Sequence, residues 1–197
     1  MMVKVPVAGR VKTRLARHLG VGPATSFYRH AANGLATRLD NPRRWTLILA
    51  VTPDAQARSP ALPAGPNRMR QGSGDLGRRM QRVFDALPSG PVVMIGSDVP
   101  GITQAEIARA FQVLEGHEAV LGPSPDGGYW LIGLRRCPRR LRPFHNVSWS
   151  TSEARNGTLR NLACSRVGFV RAMAYIDTVE DWLACGSQRG RRILPPT

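Results

Sequence analysis

Acidic residues are scarce in this sequence. Thirteen Asp and Glu stand against 28 Lys and Arg, and the formal net charge is +15. That balance favours anionic partners: nucleic acid, acidic lipid or phosphorylated small molecules. Most of the excess is arginine, whose planar fork suits phosphate. A GC-rich genome would also enrich arginine for no functional reason, so charge by itself selects no function. Cysteine is sparse too. Cys137, Cys164 and Cys185 are far apart and odd in number. This argues against a disulfide framework or a zinc knuckle and suits free thiols in a reducing compartment. No apolar run nears the roughly 18 residues needed to cross a bilayer. The opening MMVKVPVAGRVKTRL lacks the apolar centre of a signal peptide. These absences predict a soluble, cytoplasmic protein. His18, His30, His117 and His145 show no metal-ligand spacing, and no serine sits in a G-x-S-x-G elbow. A histidine metal centre and a hydrolase triad are therefore not expected. Nor is a nucleic-acid-binding module, because no helix-turn-helix, zinc finger or aromatic RNA-binding motif is present.

What is present is enough apolar residue, 42% of 197 positions, for a packed core. Strand-like and helix-like segments alternate. TRLARHL reads as helix, and so does the segment from near Pro23 to before Asn41, with Phe27, Ala31, Leu35 and Leu39 on one face. RWTLILAV reads as a buried strand, and residues 52–66 as a Pro/Ala-rich loop. DLGRRMQRVFDAL is amphipathic, with Leu76, Met80, Val83, Phe84 and Leu87 on its apolar face. PVVMIG is a buried strand. Thr103 and Glu106 form a capping box for QAEIARAFQVLEG, and Ser150 with Glu153 a second one for a helix to about Cys164. EAVLG, YWLIGL, VGFV and AMAYI are strand candidates, and Thr178 to Cys185 a last short helix. The pattern predicts an α/β fold with a mainly parallel, mixed sheet flanked by helices. It occupies one domain over residues 1–188, with a loose basic tail at 189–197. Ligands in such sheets bind beyond the carboxyl ends of the strands, so the loops there carry the chemistry.

Six loops are candidates. In PVAGRVKTRLA, a turn at Gly9 is followed by Arg10, Lys12 and Arg14 and then a helix, a pattern that suits an anion or an ordinary basic cap. Val11 replaces the glycine that a Walker A loop would need before its lysine. In RQGSGDLGRRM, Gly74 and Asp75 either meet a nucleotide or turn the chain and cap the next helix. In VVMIGSDVPGIT, Asp98 follows an apolar strand at the carboxyl edge. It can hold a divalent cation against diphosphate oxygens or make an Asx-turn. In GPSPDGGYWLIGL, Gly127 and Gly128 let the backbone approach a ligand, and Asp126 can serve as an acceptor-side base. The alternative is a tight turn between strands. Trp149 in NVSWST is an acceptor-side or a core aromatic, as is Tyr129. Asp177 in YIDTVEDW is a second metal ligand or an exposed acid before Thr178.

In this order, KVPVAGRVKTRLA, GDLGRRM, GSDVPG, GPSPDGGYWLIGL, VSWST and IDTVEDW resemble the small bacterial glycosyltransferase-like proteins related to 2-phospholactate guanylyltransferase. The resemblance spans nearly the whole chain. It implies a GT-A-like, nucleotide-diphospho-sugar transferase fold. It also implies nucleotide contacts at Arg10, Lys12 and Arg14, a Mg or Mn ion at Asp98, and acceptor contacts at Asp126, Gly127, Gly128 and Tyr129. Three departures stand out. Only Met1–Val3 precede Lys4, so the first strand is expected to be either truncated or replaced by a neighbour. Arg78 takes the place of a glutamate, and Gly96 takes the place of the first acid of a D-x-D pair. Two activities follow: transfer of a sugar from a nucleotide-diphospho-sugar to an acceptor, or nucleotidyl transfer from a nucleotide triphosphate to a phosphorylated small molecule. An inactive relative is a third outcome.

Overall fold

The computed structural model describes residues 1–178 and Asp181. The tail at 189–197, Cys185 and most of the last expected helix lie outside the described residues. Among the described residues seven strands and five α-helices follow in the order β1 (Met2–Lys4), α1 (Thr13–Leu19), α2 (Val21–Leu39), β2 (Ile48–Thr52), β3 (Asn67–Arg70), α3 (Leu76–Ala86), β4 (Val92–Ile95), α4 (Gln104–Gly116), β5 (Ala119–Pro123), β6 (Tyr129–Leu134), α5 (Ala154–Arg160) and β7 (Val167–Phe169). The strands form two sheets, β1-β2-β3 and β4-β6-β5-β7. β1, β2 and β3 are mutually parallel, with Met2 opposite Ala50 and Lys4 opposite Thr52. In the second sheet β6 is antiparallel to β4 and β5, while β7 is parallel to β5. This is the mixed α/β architecture that the alternation predicts.

Period-two side chains divide the core. Leu49, Val51, Ile95 and Val120 face one way, toward Leu35 and Leu39 of α2 and Ile107 and Leu114 of α4. Ala50, Met94, Leu121 and Ile132 face the other way, toward Met80, Val83 and Phe84 of α3. Helices therefore cover both faces, as parallel strands require. α4 begins with the expected Thr103–Glu106 capping box, and Asp75 caps α3 by accepting from the Arg78 amide at 2.7 Å.

Four details depart from expectation. The buried face of α2 runs through Ala24, Tyr28, Ala32, Leu35 and Leu39, one position on from Phe27 and Ala31 at its start. β3 reads NRMR and has no fully buried residue. An edge strand buries too little to show an apolar signature in sequence. Ser150 and Glu153 form no capping box: α5 starts without a side-chain cap bond, and the Thr151 hydroxyl accepts from the Glu153 amide instead. AMAYI forms no strand. It runs as extended chain, where the Met173 amide donates to Pro123 O at 3.0 Å and the Ile176 amide to Asp98 O at 3.3 Å. That path carries Tyr175 and Asp177 to the carboxyl edge of β4.

Candidate active-site cleft

The carboxyl ends of β1, β2, β3 and β4 open onto a cleft of about 500 Å³ lined by Lys4, Thr52, Gln71 and Gly96–Asp98, by Arg10–Arg14 of the first loop, and by Arg79, Tyr175 and Asp177. Strand direction explains its position. Parallel strands end at one edge, and the loops that leave them must converge there.

The first loop is pinned from below. Val11 is buried in the core, and the Arg10 amide closes a turn onto Val7 O at 3.0 Å. Gly9 supplies a positive φ of 74° for that turn. Lys12 follows with left-handed φ 48° and ψ 45° at the head of α1. A lysine there is strained by an amount on the order of 1 kcal/mol or more, and such strain persists only where the surroundings hold it. Two carboxylates hold it here. Lys12 Nζ lies 2.9 Å from Asp98 Oδ2 and 2.5 Å from Asp177 Oδ1, and its side chain is 5% exposed. Burial by itself would lower the Lys12 pKa, but the charges and hydrogen bonds of Asp98 and Asp177 outweigh it and raise the value.

A second layer braces this pair. The Tyr28 hydroxyl accepts from the Lys4 amide at 3.0 Å and shares a 2.8 Å hydrogen bond with Ser97. Gln71, 2% exposed, donates to Val3 O and Ala50 O and accepts from Arg79 at 3.0 Å. Sequence reasoning missed Tyr28, Gln71, Arg79 and Tyr175. Gln71 was unreadable because it follows β3, the strand without an apolar pattern. Gly96 explains the absent first acid: a Cβ there would lie 3.0 Å from Asp98 Oδ1 and 3.3 Å from the Tyr175 ring.

The remaining candidates lie elsewhere. Gly74 and Asp75 do not line the cleft, and Asp75 is engaged as the α3 cap. Asp126 is exposed outside the lining, and its Oδ1 accepts from the Gly128 amide at 2.9 Å, an Asx-turn. Gly127 has φ 83°, and a Cβ on it would come within 2.1 Å of Ser152 O. Its close approach is to the chain's own 151–155 segment, whose Arg155 amide donates to Gly127 O. Tyr129 turns inward to Thr158 at 3.3 Å. Trp149 packs against Phe144 and over Gly77. The hairpin is joined to cleft residues where the Tyr175 hydroxyl donates to Tyr129 O at 2.5 Å and the Gly96 amide to Trp130 O at 3.3 Å. Burial raises the Tyr175 pKa well above its ordinary value, and the charges of Asp98, Asp126 and Asp177 add to the rise.

Among the described residues no three His, Cys, Asp or Glu side chains gather, so the cleft offers two carboxylates. Both touch one ammonium, which puts their facing oxygens at most 5.4 Å apart, the sum of 2.9 and 2.5 Å. That donor set fits a hard cation completed by phosphate oxygens and water, the usual arrangement for magnesium.

The fold is that of the nucleotide-diphospho-sugar transferases. A protein of Desulfovibrio desulfuricans G20 described as a candidate nucleotide-diphospho-sugar transferase shares 26% identity over 98% of this chain and 87% of its own, with a TM-score of 0.85. More distant likeness, of fold alone, joins the chain to two others. One is the 4-diphosphocytidyl-2C-methyl-D-erythritol synthase of Anaerococcus prevotii (12% identity, TM-score 0.58, 96% of this chain and 97% of that one). The other is Rv0371c of Mycobacterium tuberculosis in complex with manganese (17% identity, TM-score 0.53, 93% and 94%). No curated protein matches the chain at a significant level. The profile of DUF2064, an uncharacterized protein conserved in bacteria, matches residues 28–151, and the chain belongs to that family.

Proposed function

We propose that the chain is a transferase that moves a sugar from a nucleotide-diphospho-sugar to an acceptor hydroxyl, working as a single domain over residues 1–188 with a magnesium or manganese ion. The observation that carries this reading is Lys12 Nζ held between Asp98 and Asp177 in a cleft that Arg10, Arg14 and Arg79 also line. The arginines suit diphosphate oxygens. Asp98 and Asp177 would hold the cation. When bound, it would offset the charge of the diphosphate. The buried ammonium of Lys12 stabilises the same leaving group as the bond from the sugar's anomeric carbon to the diphosphate oxygen breaks and its electron pair departs with the diphosphate. The acceptor oxygen forms the new bond to that carbon. Its proton passes to Asp126, the exposed acid on the Tyr175 side, in a displacement that inverts the anomeric centre. Gly127, Gly128, Tyr129 and Trp149 then act as the acceptor wall by shaping the hairpin behind Asp126.

A second reading rests on the depth of Lys12. A buried ammonium beside the phosphates also suits attack of a phosphorylated substrate on the α-phosphate of a nucleotide triphosphate, with pyrophosphate leaving. Product analysis separates the two. Release of nucleoside diphosphate from a nucleotide-sugar supports the first, and release of pyrophosphate supports the second. A melting-temperature screen of both ligand classes, with and without manganese or magnesium, tests the site itself. We expect a metal-dependent stabilisation of several degrees that disappears in Asp98→Asn. Equal shifts in the variant would remove Asp98 from the site.

A further inference from the structure

Arg10, Arg14 and Arg79 line the same cleft but are held differently. Arg10 and Arg14 stand exposed on the first loop and the head of α1, and neither guanidinium makes a hydrogen bond or ion pair among the described residues. Arg79 is half-buried on α3. Its Nη1 donates to Gln71 Oε1 at 3.0 Å and its Nε to Asp75 O at 3.4 Å. Its Nη2 donates to nothing among the described residues. Part of a planar fork is thus anchored, and the rest is left for an oxyanion in the cleft.

Gln71 can hold Arg79 in only one way. It follows β3 and is 2% exposed. Its backbone amide donates to Val51 O at 3.1 Å, and its carbonyl accepts from Arg82 at 2.7 Å. Its Nε2 donates to Ala50 O at 2.7 Å and to Val3 O at 3.2 Å. Only the NH2 end of the side-chain amide can meet two carbonyls, so the oxygen must point at Arg79. The backbone of β1 and β2 thereby sets the orientation of a side chain on α3. A guanidinium ordered before its ligand arrives gives up less conformational freedom on binding. Being half-buried, it is also screened less by salt than an exposed charge.

We infer that Arg79 is the cleft arginine that determines affinity for the phosphates of the nucleotide, and that Gln71 is its positioning residue. The inference rests on the nucleotide-dependent transfer proposed above. It deepens that reading by naming α3, in place of the first loop, as the source of the fixed phosphate contact.

The test measures binding of UDP, GDP, CDP and ADP, each with magnesium, by calorimetry. It compares wild type, Arg79→Lys, Gln71→Met, the double variant and Arg10→Lys. Arg79→Lys keeps the charge and loses the fork, so it should weaken the tightest of these ligands about 10-fold at both ~50 and ~200 mM salt. Gln71→Met should weaken it to a similar extent. The double variant should fall within about 2-fold of Arg79→Lys, because two residues that act through one contact are not additive. Arg10→Lys should stay within about 2-fold of wild type. Gln71→Met should also lower Tm, since Val3 O and Ala50 O lose a donor. Arg79→Lys leaves both bonded and decides the matter by itself if Gln71→Met fails to fold. Equal affinities for wild type and Arg79→Lys would overturn the inference and leave the transferase reading standing. Losses that multiply in the double variant would overturn the positioning role of Gln71. Failure of all four nucleotides to bind wild type would overturn both the inference and the reading beneath it.

Discussion

At the scale of single residues the informative side chain is Lys12. Its backbone is left-handed, its stem is buried, and its ammonium is held by two acids 86 and 165 positions away. Removing one member of such a group leaves the others facing each other without compensation. Lys12→Met is expected to cost about 1–3 kcal/mol, less than a fully buried pair because Asp98 and Asp177 are 27% and 47% exposed. The pH dependence has a definite sign. Lys12 has a folded pKa raised above its ordinary 10.5, so its contribution is fully present below that value. It fades as pH rises through the higher folded pKa. Urea melts of wild type and Lys12→Met from neutral to strongly alkaline pH should show a constant gap that closes only at the alkaline end. A gap that closes near neutrality would contradict the ion pair.

At the scale of elements, the hairpin β5–β6 meets a structural demand of its own beside the acceptor-side role proposed for it. Its Pro-Asp-Gly-Gly turn is shaped by the Asp126–Gly128 hydrogen bond and by the fit of Gly127 against Ser152. Gly127→Ala must place a Cβ into a backbone oxygen at positive φ. It should destabilise by about 1–3 kcal/mol and lower Tm by several degrees. An unchanged Tm would mean that the 151–155 segment yields freely. The elements with strong patterns were legible: α2, α3 and α4 because each buries one face at helical period, and β4 to β6 because each is a short continuous apolar run. The short pieces were not. β3 is a polar edge strand, and residues 172–176 owe their extended path to bonds with Pro123 and Asp98. Propensity cannot register partners that far away in the chain.

At the scale of the whole molecule, a net charge of +15 surrounds a cleft that itself holds only two acids among its lining residues. Such a field draws polyphosphate ligands in and is screened by salt. Affinity for a nucleoside diphosphate, measured by calorimetry, should fall several-fold between about 50 and about 200 mM salt. Salt-independent binding would leave the arginine excess without a role at this site. Among the described residues no helix is long and apolar enough to cross a membrane, in keeping with the absence of long apolar runs in the sequence. By itself the amino-acid pattern determined the α/β class, most elements, and the loops Arg10–Arg14 and Gly96–Asp98 as cleft material, because those features depend on neighbours close along the chain. Only the tertiary structure decided that Lys12 joins Asp98 to Asp177, that Gln71 and Tyr28 brace them, and that Asp126 stands outside the lining. Those are meetings of strand ends remote in sequence, set by how the sheets pack, and no local pattern encodes them.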